Sequence, residues 1–421
     1  MVFWTHIFCP VPLSVRRNII SLMNIAILGD GITAKAVRQK IKELKIKEVS
    51  LDEADLIITS PGISPSQFPK TTTEIISEIE FAYRLLKKTN PKIKIIGITG
   101  TNGKTTVTSL IAHMLDIPAA GNIGVPLISF VGNADISAIV VELSSYQLET
   151  CTTFKPDISI LLNITPDHLE RHQTIKEYTF QKSKIFVNQN KLDHLIYFED
   201  DLNIQSIINN LSVNLHPYSL ASPEFDKLIN FKLIGAHNKL NAVACWKVAQ
   251  LMNMEESKTL EKIASFEPVE HRIEHVLNYQ DRIFYNDSKS TNPDSTMVAI
   301  TSFDQPISLI LGGKDKGLDL EAFLTFSFSN VDTVTVFGEI AERLYKTAKK
   351  LDPNANIYKV SNMNEAIDTA YINSKPGDVL LFSPACSSFD QFDNYIHRGL
   401  VFKEILIKRY SDANKQKITS N

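Results

Sequence analysis

Short apolar runs alternate with longer segments of helical period along almost the whole chain. The first run, at 24–28, leads into a helix-like segment at 34–44, and a second run at 54–59 ends in Ser60-Pro61-Gly62. After Asn90-Pro91 the pattern resumes with a run at 93–98, a helix-like segment through Leu115, runs at 138–143 and 158–164, and a helix at 237–252. A third block begins near His271, with candidate strands at 283–285, 307–311, 334–337 and 379–382 and helical runs between them. Apolar runs of this length bounded by Gly, Pro and Asn predict buried strands, and the intervening segments predict crossover helices. Strict alternation of the two is the pattern of parallel sheets covered by helices, so the class is α/β. The boundaries fall at 1–22 for a leader outside the fold, 23–91 for a short first domain, 92–268 for a central domain and 269–421 for a last one. Between 44 and 54 there is room for little more than a turn, so no second strand is expected there.

Composition narrows the classes. A chain of 421 residues is long enough for two or three domains. Its net charge of -3 gives no global attraction for nucleic acid. No stretch approaches the ~18 consecutive apolar residues of a membrane span. In residues 1–22 the pair Arg16 and Arg17 follows the apolar part instead of preceding it, which argues against a signal peptide, and Met23 directly before the first strand is a candidate start. Cys9, Cys151, Cys245 and Cys386 form no C-x-x-C pair and read as reduced thiols of a cytoplasmic protein. The tail at 415–421 reads as frayed.

The strongest chemical signal is Gly97-Ile98-Thr99-Gly100-Thr101-Asn102-Gly103-Lys104-Thr105-Thr106, which joins an apolar run to a helix-like segment. A strand, a glycine-rich turn and a helix start make an anion cradle: backbone N–H groups wrap the phosphate and the helix N-terminus adds partial positive charge. Lys104 is then placed for the outer phosphates and Thr105 for Mg²⁺. The glycines fall at 97, 100 and 103, whereas the common pattern wants one where Ile98 stands.

Further polar clusters follow the other apolar runs, where open α/β sheets place ligands. Glu142-Leu143-Ser144-Ser145-Tyr146-Gln147-Leu148-Glu149 puts a carboxylate at a strand end, suited to Mg²⁺ and equally to a helix cap. Asp167-His168 suits a second metal or a capped turn, and Lys182 and Lys184 by themselves read as a solvated helix face. Asn238 and Asn241 share one face at a helix start, where amides read a base edge or cap the helix. His271-Arg272 precedes Asn286-Asp287-Ser288-Lys289-Ser290-Thr291-Asn292, Gly312-Gly313-Lys314-Asp315-Lys316-Gly317 and Ser383-Pro384-Ala385-Cys386-Ser387-Ser388-Phe389-Asp390-Gln391-Phe392. Three such loops carrying Lys289, Lys316 and Ser388 read as a pocket for an anionic small molecule.

The phosphate loop at 100–105, Gly121-Asn122-Ile123-Gly124 and the 142–149 motif resemble those of the ATP-dependent Mur ligases of peptidoglycan synthesis. The 286–292 and 383–392 loops resemble the D-glutamate-adding branch of that family, and the resemblance runs from about 24 to 403. It implies three domains: a short Rossmann-like N-terminal domain, a central P-loop ATPase-like parallel sheet and a C-terminal Rossmann-like domain. It also implies a monomer with ATP, two Mg²⁺ ions, UDP-N-acetylmuramoyl-L-alanine and D-glutamate as ligands. Gly100, Thr101, Asn102, Gly103, Lys104, Thr105 and Thr106 would hold the phosphates. Thr105 and Glu142 would hold one Mg²⁺, and His168 with a carbamylated Lys182 the other. Asn238 and Asn241 would face adenine, Arg272 and Asp287 the nucleotide's phosphate and ribose, and Gly31, Thr33, Gly62 and Asn122 the UDP-sugar. Thr291, Lys316, Ser388 and Tyr395 would take D-glutamate, with Lys289 near the reacting groups and His271 as proton acceptor. Closure of the last domain about a hinge near Pro268 is expected. The competing readings are another ligase of the superfamily, such as a folylpolyglutamate type, and a non-catalytic ATP-driven switch, which would have no use for a second anion pocket.

Overall fold

The computed structural model describes residues 23–411 apart from 229, 230, 268, 316, 318 and 319. The 1–22 leader, the Pro268 hinge and Lys316 therefore lie outside the described residues. The chain divides into two compact units, one ending at Ser219 and the other starting at Leu220. Among the described residues no helix is long and apolar enough to cross a membrane. Among the described residues Cys151, Cys245 and Cys386 form no disulfide, and all three are buried.

The first unit holds two sheets. One is fully parallel in the order Lys47–Glu48, Asn24–Leu28, Leu56–Thr59, Glu74–Ser77. Its Lys47–Glu48 strand corrects the expectation that this block has none between 44 and 54. The turn is short enough because Lys45 takes a left-handed conformation (φ 56°) and the N–H of Ile46 reaches back to the carbonyl of Ile41 at 2.8 Å, closing the preceding helix within one residue. Buried Ile46 then pins the chain beside Asn24–Leu28.

The other sheet has the order Asn214–Tyr218, His194–Phe198, Ile158–Leu161, Lys94–Thr99, Ala138–Glu142, Ala119–Gly121, and every pair in it is parallel. From Lys94–Thr99 the chain runs first to one side and then to the other. The carboxyl end of that strand is thus the point of reversal, where such sheets bind ligands.

The helix Glu78–Thr89 joins the sheets through carboxylates that bury themselves on neighbouring backbone. Glu80, fully buried, accepts the N–H groups of Thr152, Thr153 and Phe154. Glu78 accepts the N–H of Ile128 at 2.6 Å, and burial pushes its carboxyl up to about 7 against that bond and one from Leu127. Its folded value exceeds the ~4.3 of an unfolded glutamate. The stability it contributes is therefore full at acid pH and lost as pH rises through about 7. Glu78→Gln keeps the carbonyl acceptor and cannot ionise. Relative to wild type it should gain on the order of 1–3 kcal/mol between about pH 5 and about pH 8 in equilibrium unfolding; a difference that does not change with pH would refute this.

The second unit carries a sheet in the order Glu274–Tyr279, Arg282–Asn286, Val379–Ala385, Ile307–Gly312, Thr333–Phe337, Ile357–Lys359, antiparallel only at its first pair. Strand alternation splits its core. Leu309, Leu311, Val334 and Val336 pack on Phe323 and Leu344 on one face, while Phe284, Ile310, Leu380 and Phe382 pack on Phe402 and Leu406 on the other. Arg282–Asn286, Val379–Ala385 and Ile307–Gly312 are neighbours, so the three loops singled out in sequence leave adjacent strand ends.

Candidate active site

The phosphate loop is built by close backbone approach. A Cβ on Gly100 would lie 2.9 Å from Leu162 Cβ and 3.2 Å from the Asn163 nitrogen, so only glycine admits the crossing. Gly103 is left-handed (φ 85°) immediately before the helix Lys104–Leu115. Asn163, to which the sequence assigned no role, clamps the turn: its carbonyl accepts the Thr101 N–H at 2.8 Å, its Oδ1 accepts the Asn102 N–H at 2.8 Å, and its Nδ2 donates to the Asn102 carbonyl at 3.1 Å. Lys104 Nζ donates to the carbonyls of Gly100 (2.8 Å) and Thr101 (2.7 Å), which holds the ammonium over the loop it serves.

Lys182 is 1% exposed and donates to the same Gly100 carbonyl at 2.8 Å, with its Nζ 4.4 Å from the Tyr178 ring centre. Burial, and then the charge of Lys104, drives it well below the ordinary lysine value, opposed by Asp167. Lys184 bonds the Glu149 carbonyl instead. Lys104, Asn122, His168 and Lys182 meet Gly62 of the first sheet around one cavity of ≈ 260 Å³. Gly31 and Thr33 lie at the start of the helix Ile32–Glu43 and do not line it.

Glu142 is 1% exposed; its Oε1 accepts from Asn122 Nδ2 at 2.8 Å, while Oε2 is buried with no hydrogen-bond partner. A buried carboxylate oxygen left unsatisfied is costly, and a cation relieves that cost. Among the described residues no three His, Cys, Asp or Glu side chains gather as a metal site. That suits Mg²⁺, which takes one or two carboxylates and completes its shell with water and phosphate oxygens. Thr105, buried at the helix start, and Glu142 fit that donor set. His168 is left-handed (φ 55°), its ring 4.9 Å from that of Tyr146, and its Nε2 is 3.7 Å from Asp167.

In the second unit Asp287 is buried, receiving Ser383 Oγ at 2.7 Å and the Ile273 N–H at 3.2 Å; desolvation pushes its carboxyl up to about 6. Lys289 Nζ lies 5.3 Å from the Tyr395 ring centre. Asn241 Nδ2 donates to Asn238 Oδ1 at 3.3 Å, and Asn238 donates to the Ile234 carbonyl at 2.7 Å. Both amides are buried at the first turns of the helix Ala236–Leu251. Arg272 lies near enough to His237 to help burial hold that imidazole down to about 4. His271 is buried, its Nδ1 2.9 Å from Asn286 Nδ2 and its carbonyl accepting the Lys289 N–H at 3.0 Å. Ser388 is buried on the 383–392 loop, and Thr291 sits on the 286–292 loop.

Sequence reasoning passed over Arg398, which is 0% exposed. Its guanidinium donates to Ser288 Oγ (3.1 Å), the Ser288 carbonyl (2.8 Å), the Gly312 carbonyl (3.3 Å) and the Cys386 carbonyl (2.9 Å), tying the three loops together. A lone arginine inside a helix carries no sequence signal for that.

Residues 98–249 match the Mur ligase middle domain and residues 271–386 the Mur ligase glutamate ligase domain. The chain is 38% identical, across 84% of its length and 84% of the relative's, to the UDP-N-acetylmuramoylalanine--D-glutamate ligase of Thermoanaerobacter sp. (strain X514). It belongs to the Mur ligase family. A second relative, from Clostridioides difficile (strain 630), bears the same name at 37% identity over the same shares. Among solved structures, MurF ligase from Thermotoga maritima in complex with ADP superposes with a TM-score of 0.63 at 17% identity, covering 91% of this chain and 95% of that one. MurC from Thermotoga maritima gives 0.58 at 19% identity, covering 91% and 98%. These two likenesses carry the three-domain α/β fold of the Mur ligases.

Proposed function

We propose that this Mur ligase adds D-glutamate to UDP-N-acetylmuramoyl-L-alanine at the expense of ATP, as a cytoplasmic monomer. The observation that carries the reading is the cavity in which Lys104 of the phosphate loop and buried Lys182 meet Asn122, His168 and Gly62. A carboxylate is a poor acyl donor at neutral pH. The γ-phosphoryl of ATP moves to the alanine carboxylate, giving an acyl phosphate and ADP; the amine of D-glutamate then attacks the acyl carbon, forming the amide and releasing phosphate and one proton. Phosphoryl transfer needs alignment and charge neutralisation more than covalent help.

The groups singled out in the sequence divide the work of that scheme. Lys104 and the N–H groups of 100–106 hold the phosphates. Thr105 and Glu142 hold one Mg²⁺, and His168 and Lys182 the other. Bound Mg²⁺ neutralises charge on the transferring phosphoryl group. Lys182 serves as the carbamate, made from its neutral amine and CO₂ with loss of a proton; its burial favours that neutral form. Asn238 and Asn241 face adenine, and Arg272 and Asp287 the rest of the nucleotide. Gly31, Thr33, Gly62 and Asn122 receive the UDP-sugar, and Thr291, Lys316, Ser388 and Tyr395 receive D-glutamate, with Lys289 beside the reacting groups. His271, with its ring turned inward on Asn286, supports the Lys289 backbone and is a poor proton acceptor. The ligand-binding division is 23–91, 92–268 and 269–421. Phosphate release from Mg-ATP, measured with UDP-N-acetylmuramoyl-L-alanine and a panel of amino acids including both glutamate enantiomers, should depend on D-glutamate; release indifferent to the amino acid would overturn the reading.

A further inference from the structure

Arg171 has no part in the scheme so far, yet it is the side chain that joins the first sheet's ligand loop to the phosphate-binding sheet. It lies on the short helix Leu169–His172, three residues after His168, and its side chain is 11% exposed. Nε donates to Glu149 Oε1 at 3.0 Å and Nη2 to Glu149 Oε2, a two-pronged pairing with a carboxylate that is itself buried. The remaining N–H groups cross to the other sheet: Nη1 donates to the Pro61 carbonyl at 2.9 Å and Nη2 to the Ile63 carbonyl at 3.0 Å. These two carbonyls flank Gly62, which lines the cavity with Lys104 and Lys182. The guanidinium carbon also sits 4.1 Å from the ring centre of Tyr146, another residue of the cavity wall.

We propose that Arg171 is a positioning residue that fixes the 61–63 loop against the phosphate-binding sheet and thereby sets how the UDP-substrate is presented to Lys104 and Lys182. Five donors in a planar fork satisfy one carboxylate and two carbonyls at once, which a lysine's point charge does not. At the tip of the loop, the Ile63 N–H bonds the Ser60 carbonyl within the same turn at 3.1 Å, and nothing stands within 4 Å of where a Gly62 Cβ would be. The identity of the ligand rests on the proposed function; the loop restraint does not.

The test uses the full chain with Arg171→Lys and with the double variant Arg171→Met, Glu149→Gln, which leaves no unpaired buried carboxylate. In ligand-free protein, amide hydrogen exchange at Ile63 should speed up about tenfold or more in both variants while exchange in the strands Leu56–Thr59 and Lys94–Thr99 stays as in wild type. KM for UDP-N-acetylmuramoyl-L-alanine should rise about tenfold or more with KM for ATP within about twofold. Glu149→Gln alone, which keeps both carbonyl bonds, should leave loop exchange near wild type. Unchanged loop exchange in both Arg171 variants, or a KM for ATP rising as far as that for the UDP-substrate, would overturn the proposal. Should wild type fail to ligate at all, the proposed function falls, and the exchange measurement still decides the role of Arg171.

Discussion

Lys104→Ala should lower kcat for ATP-dependent ligation by about three to four orders of magnitude, a loss of roughly 4–5 kcal/mol of transition-state stabilisation. The size follows from what the residue faces. Its ammonium is carried by a loop whose backbone has already been bent to receive phosphate, and it donates to the carbonyls of Gly100 and Thr101 at 2.8 and 2.7 Å. When ATP binds, a phosphate oxygen is the stronger partner for that charge, and preorganised cations count most where charge migrates. The fold should survive, because the loop's shape is held by Asn163 and by the glycines at 100 and 103 instead of by the lysine. Phosphate-release kinetics beside a thermal unfolding curve check both halves. A variant within tenfold of wild type would mean that the loop is not the catalytic phosphate cradle.

Lys182→Met should cost about two to three orders of magnitude in kcat, and the loss should trace to a missing anion instead of a missing cation. Lys182 is almost wholly buried beside Lys104, a setting that disfavours a second ammonium and favours the neutral amine. In the proposed reaction scheme that neutral amine takes up CO₂ and loses a proton, which would place beside Lys104 a carboxylate that its charge attracts. Wild-type protein equilibrated with ¹³C-bicarbonate should therefore show one carbamate carbon resonance that Lys182→Met lacks and Lys184→Met keeps, since Lys184 is held on the Glu149 carbonyl. Activity should fall when dissolved CO₂ is stripped and return when it is restored. A carbamate signal that persists in Lys182→Met would place the modification elsewhere.

The parts of this molecule that could be read from the chain are those whose chemistry demands a particular residue type. Gly100 and Gly103 were legible because a bent backbone next to a helix start admits little else, and Glu142 because a carboxylate closing a buried strand needs a reason to be there. The central strands Lys94–Thr99, Ala138–Glu142 and Ile307–Gly312 announced themselves as apolar runs because both of their faces are covered. Edge strands did not. Lys47–Glu48 is two exposed charged residues paired in parallel with Asn24–Leu28, and Asn214–Tyr218 contains Pro217, which an edge tolerates. Asn163, Arg171 and Arg398 were invisible for another reason: each bonds backbone carbonyls or N–H groups from distant segments, and such a contact constrains one side chain without leaving a motif. For the same reason Lys182 by itself read as a solvated lysine, and the family resemblance alone singled it out before the fold showed it buried.

In the proposed reaction this site turns a carboxylate into an acyl phosphate before an amine takes its place. The most direct measurement starts from UDP-N-acetylmuramoyl-L-alanine whose alanine carboxylate carries ¹⁸O in both oxygens, turned over with Mg-ATP and D-glutamate, with the released phosphate analysed by mass. Activation by phosphorylation predicts one ¹⁸O in each phosphate released, because the bridging oxygen leaves with phosphorus when the amine attacks. Phosphate carrying no label would contradict it, since ATP would then be hydrolysed without ever engaging the carboxylate.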